Sequence, residues 1–220
     1  MVMQFGSMYA TNTIRLWQPQ LFTILDNFDP AGFNLSAGHE STFCEILDLS
    51  TVMNGTSASV VENATCTNIA VNGSIYVKTM IIAAFGVIFL LTASFALNIL
   101  NHKIVLYICY GIALICIICI NWSTNTLTTL LLTSLFVGLT NTTLNTIVGV
   151  TVMLFPTSLR AIAVSLVMAI GRTGSIIGNI LFPVLLAQGC LVPVIELACL
   201  VLLCIVLTRF LPTTKKKAAK

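Results

Sequence analysis

From Thr79 to Asn101 no residue carries a formal charge, and from Ile104 to Leu159 none does either. Uncharged runs of that length leave few folding options. A helix crossing the hydrocarbon core of a bilayer needs about 20 apolar residues at a rise of about 1.5 Å each. The first run fits one crossing. The second is too long for one, and it divides best at Asn121-Trp122-Ser123-Thr124-Asn125, its most polar short patch. Composition points the same way. Charged residues make up 8% of the chain, whereas a soluble domain carries roughly 25%. So few charges cannot build a water-facing surface, so most of this surface must face lipid.

The expected fold is an all-α membrane protein of six transmembrane helices, at about 1–22, 79–100, 104–120, 127–154, 160–187 and 192–211. A long polar loop, 23–78, joins the first two, the five helices of 79–211 follow, and 212–220 is a basic tail. No secretory signal peptide is expected: Met1 starts no basic region, and Arg15 interrupts the first apolar stretch, which reads as a helix met partway along. Lys103, Arg160 and the Lys215, Lys216, Lys217 and Lys220 cluster fall in alternate connections. The bias of basic residues toward the cytoplasm then places the C-terminus there, and the loop outside or in a lumen. Six of the seven acids lie in the span from Asp26 to Glu62. The terminal lysines follow directly on an apolar segment, where they suit anionic lipid headgroups rather than nucleic acid.

The loop carries four glycosylation acceptors, Asn34, Asn54, Asn63 and Asn72, each two residues before a Ser or Thr. Its only cysteines are Cys44 and Cys66, and in an oxidising compartment a bridge between them is expected. The other six cysteines lie in or near apolar spans, where they act as small hydrophobes, and their spacing holds no metal pattern.

Two charges sit deep in apolar segments. Arg172 lies about 18 Å along a helix from Arg160, and Glu196 about 20 Å from Arg209. Both are costly in hydrocarbon and should face a cavity or a partner. Similar depth on consecutive antiparallel helices predicts that they pair, directly or through water, as a transport-pathway or a structural pair; the alternative is that Glu196 simply lies near the outer interface. On the fifth helix Gly171, Gly174, Ser175 and Gly178 share a narrow arc, a small face suited to close helix approach. Arg172 and Asn179 share another face. On the fourth helix Ser134, Gly138, Asn141, Thr142, Asn145 and Gly149 form one stripe at spacings of three and four. Its amides should face protein or water, for interhelical hydrogen bonding or for substrate contact. No catalytic constellation, phosphate loop or cofactor motif is present, so an enzyme is not expected.

Leu154-Phe155-Pro156-Thr157-Ser158-Leu159-Arg160-Ala161, followed by Gly171-Arg172-Thr173-Gly174, resembles the connection between the tenth and eleventh spans of the major facilitator superfamily. The stretch with Asn101-His102-Lys103 is similar to the short eighth-to-ninth loop of its synaptic vesicle glycoprotein 2-like branch, especially the insect members. Asn12 through Phe22 resembles the end of that branch's seventh span, and a long glycosylated luminal loop after that span is also a feature of the branch. The eighth-to-ninth loop departs from the superfamily's usual pattern in lacking its acidic and further basic residues.

The resemblance implies the C-terminal half of a twelve-helix transporter, with 1–22 as the end of the seventh span. It also implies a multi-pass protein of the plasma or a vesicle membrane. The full-length form would move a small organic solute, with a second chain or a missing N-terminal half as partner. The alternative reading is a non-transporting membrane glycoprotein whose luminal loop mediates protein interaction, or an inactive fragment.

Overall fold

The computed structural model describes residues 1–27, 101–123 and 126–211, together with Cys44, Leu47 and scattered positions between Val77 and Phe95. The four expected glycosylation acceptors, Cys66 and the tail from 212 lie outside the described residues. Of the helix expected near 79–100, the described positions are helical, and Thr79–Ile88 is apolar but shorter than a crossing.

Five long helices make up the rest: α1 (Val2–Asn27), α2 (His102–Asn121), α3 (Thr126–Leu154), α4 (Arg160–Leu186) and α5 (Leu191–Arg209). No strand occurs among the described residues. The last four helices are each long and apolar enough to span a bilayer. α1 is long enough but too polar to be counted with them.

Its packing explains that polarity. α1 lies against α3, α4 and α5, most extensively against α4. Gln4, Ser7, Thr11, Thr13 and Gln18 are all buried in it. A helix packed against other helices need not match lipid. Some of its polar groups are paired, Thr11 with the Ser7 carbonyl, while Gln4 Oε1, Thr13 Oγ1 and Gln18 Nε2 are buried without a hydrogen-bond partner among the described residues. The Ser7 hydroxyl lies 2.6 Å from the Tyr110 hydroxyl of α2, and Thr143 of α3 donates to Ser7 at 3.4 Å. Three helices meet on that buried hydroxyl cluster.

α2 and α5 show the opposite pattern. In α2 the buried stripe runs through Leu106, Tyr110, Ala113 and Ile117, while Ile104, Ile108, Ile112, Ile115 and Ile118 are exposed. In α5 Pro193, Leu197, Val201, Cys204 and Thr208 are buried, while Ile195, Leu202, Leu203 and Val206 stand out. Large apolar side chains on the outer face are what a bilayer accepts and water does not.

The bundle has a basic end. Lys103 donates to the carbonyls of Arg209 at 2.8 Å and Leu211 at 3.0 Å. A cation on those orphan carbonyls satisfies the C-terminus of α5 and suits its dipole. Leu159, beside Arg160, lines a cavity together with Leu211 at this end.

The other end is closed by a disulfide. Cys44 is bonded to Cys190 in the α4–α5 turn, with Cα atoms 5.2 Å apart. This corrects the expected Cys44–Cys66 bridge, since Cys44 can form one bond only. That expectation counted Cys190, in the connection between the last two spans, among the cysteines in or near apolar spans and gave it no bonding role. The turn instead carries it to the end where the loop cysteine lies, within bridging range. Leu47, one helical turn from Cys44, is buried and faces Ile117, Ile120 and Leu186. Part of the loop therefore belongs to the core.

Candidate functional site

α1 and α4 run parallel and nearly in contact. A Cβ on Gly171 would meet the side chains of Met8 and Gln4 at 2.9 and 3.0 Å, and one on Gly174 would lie 2.6 Å from the Phe5 carbonyl oxygen. A Cβ on Gly178 would collide with the Thr13 hydroxyl. The three glycines thus form the buried face of α4 that takes α1. This contact turns the neighbouring positions of both helices toward one space.

That space is a cavity of about 600 Å³. α1 contributes Gln4, Met8, Asn12 and Arg15 to its wall; α3 contributes Asn141 and Asn145, with Leu144 and Val148; α4 contributes Met168, Arg172, Ser175 and Ile176. The Asn12 amide donates to Ser175 Oγ at 2.7 Å, tying α1 to α4 across the cavity wall. Gln4 Nε2 donates to Met168 Sδ at 3.6 Å, while Gln4 Oε1 is buried with no hydrogen-bond partner. Arg15 and Arg172 are both exposed into the cavity, and neither forms an ion pair among the described residues. Among the described residues no Asp or Glu lines it. A second cavity, of about 390 Å³ at the basic end, is lined by apolar side chains apart from Thr151. The polar cavity is therefore the one able to orient a solute.

Arg172, Asn141 and Asn145 come together here. Asn179 and Glu196 do not. The expected Arg172–Glu196 pair is absent as a direct contact: Glu196 Oε1 accepts from the Tyr9 hydroxyl of α1, and Oε2 is buried without a hydrogen-bond partner. Cys204 packs on Gly6, level with the Gln4–Met8 turn that meets Gly171, so Glu196, eight residues before Cys204, lies roughly 12 Å further along the bundle than Arg172. α4 and α5 also touch only slightly, with α1 packed against both. Asn179 is half-buried, with Oδ1 unpartnered, off the cavity wall.

The α3 stripe also divides. Ser134 and Thr142 donate to the carbonyls of Leu131 and Gly138 within their own helix. Asn145 donates to the Asn141 carbonyl. Hydroxyls that bond back one turn need no partner helix, so the stripe carries little interhelical hydrogen bonding. Its two asparagines are left to the cavity.

The four α1 residues were not singled out from sequence. A signal was present: positions 4, 8, 12 and 15 recur at helical spacing, three of them Gln, Asn and Arg.

Among the described residues, helices long and apolar enough to span a bilayer flank a polar cavity, which fits a membrane protein. The family model of the Major Facilitator Superfamily matches residues 41–220, and the chain belongs to that superfamily. No curated protein and no solved structure matches it.

Proposed function

We propose that the full-length form carries a small organic solute across a membrane, with the cavity between α1, α3 and α4 as this chain's share of the pathway. The observation that carries this reading is the convergence of Arg15, Arg172, Asn141 and Asn145 on one polar space inside a helical membrane bundle. Ionisable groups at membrane depth persist where they line a pathway or meet a partner, and among the described residues these two arginines have no ion-pair partner. Superfamily carriers rock two halves about a central site, and one half supplies one wall of it.

In the same reading the basic end faces the cytoplasm and the Cys44–Cys190 end faces the lumen or exterior. The disulfide supports this, since such bonds persist in oxidising compartments. The Asn101-His102-Lys103 and Pro156–Arg160 stretches support placement in the synaptic vesicle glycoprotein 2-like branch.

The test is uptake of a panel of labelled organic solutes by cells producing the protein from its complete reading frame. Accumulation above the empty-vector control, reduced roughly tenfold or more by Arg172→Ala, is expected. Unchanged uptake in the variant removes Arg172 from the mechanism, and no accumulation of any solute defeats the transport reading.

A further inference from the structure

The charge of the cavity narrows what it can hold. Gly171 meets Gln4 and Met8, and Gly178 meets Tyr9 and Thr13, which fixes the level of α1 against α4. Arg172 then stands level with the Gln4–Met8 turn, and Arg15 lies beyond Thr13, roughly 12 Å further along the axes. Two guanidiniums therefore stand at different depths on one wall, with Asn12 and Ser175 between them.

Neither faces a carboxylate among the described residues. Glu196 is engaged by Tyr9 off the cavity, and no acid is among the described lining residues. Unpaired guanidiniums in a partly desolvated site favour an anion with planar, bidentate geometry.

We propose that the cavity binds small organic carboxylates, with Arg172 and Arg15 as its two anion anchors, and that dicarboxylates reaching both bind more tightly than monocarboxylates. This rests on the solute reading above, and binding is measured separately from transport so that the two can fail separately.

The experiment is equilibrium binding of labelled succinate and benzoate to the full-length protein in phosphatidylcholine nanodiscs. Benzamide serves as the neutral isostere of benzoate and tetraethylammonium as the cationic control. Saturable binding of both carboxylates is expected, succinate the tighter, with neither control competing.

Arg172→Gln should weaken both carboxylates roughly tenfold or more. Arg15→Gln should bring succinate down to the affinity of benzoate. Arg172→Lys, which keeps the charge, should restore part of the loss and so separates loss of the anchor from misfolding. Elution as a monodisperse species checks the fold of each variant.

Binding of tetraethylammonium but not of the carboxylates overturns the proposal, as does binding of none of the probes. Equal carboxylate affinity in the two glutamine variants and the parent also overturns it. Loss of succinate binding when phosphatidylserine is added to the disc assigns the arginines to a lipid headgroup and overturns the solute assignment. Carboxylate binding without uptake keeps this inference and removes the transport reading. Uptake of cations alone does the reverse.

Discussion

The Tyr9 hydroxyl is the one donor that reaches Glu196 among the described residues, and the second carboxyl oxygen of Glu196 has no hydrogen-bond partner. Tyr9→Phe leaves both oxygens unmatched away from water. The expected cost is about 1–3 kcal/mol, read as a lower thermal unfolding midpoint in detergent. Adding Glu196→Leu should recover most of it, because removing both partners is cheaper than removing one. A double variant that loses the sum of the two single losses would show the groups to be uncoupled. Glu196 and Arg172 were conspicuous in the sequence as charges inside apolar segments. What each one faces was not legible. Counting residues from Arg160 and Arg209 misjudged their relative depth, facing depends on which helix lies between, and Tyr9 belongs to a segment far away in the chain.

The contact of α1 with α4 is the most extensive helix pairing among the described residues, and it rests on missing side chains. In lipid the apolar effect does not drive helices together, so close backbone approach and packing must. The Phe5 carbonyl cannot retreat from a Cβ on Gly174 without moving α1. Gly174→Ala should therefore cost about 1–3 kcal/mol, seen in the same unfolding measurement. Gly149→Ala is the control: its Cβ would meet nothing within 4 Å, so the midpoint should hold or rise slightly. Should both variants behave alike, the glycine face would not be what holds α4 to α1. The small face of α4 was legible from spacing alone. The polar face of α1 was harder to read, since a helix too polar for lipid looks like a poor span until its neighbours are seen to enclose it.

At the scale of the whole chain, one covalent bond joins two distant segments. Cys44 and Cys190 are 146 residues apart, so their bond restricts the unfolded chain strongly. A non-reducing digest should yield one linked peptide pair containing these two cysteines, unchanged in Cys66→Ser and lost in Cys190→Ser. Recovery of a Cys44–Cys66 pair would sink this assignment. Cys190→Ser should also destabilise the protein by about 2–5 kcal/mol, as should reductant applied to the parent.

Much of this protein was decided by sequence alone. Long uncharged runs set the lipid environment and the helical class, because a bilayer leaves no other way to satisfy the backbone. The charges and polar patches between runs set the helix ends closely: α3 and α4 begin at Thr126 and Arg160, where 127 and 160 were expected. Three of the cavity residues were visible as polar groups that lipid would not accept. Tertiary structure decided the rest: α1 between α4 and α5, Tyr9 rather than Arg172 on Glu196, Cys190 rather than Cys66 on Cys44. The physical reason is common to all three. Periodicity along a helix reports which side chains share a face, whereas pairing across helices depends on how the bundle is wound, and small local differences in packing decide that.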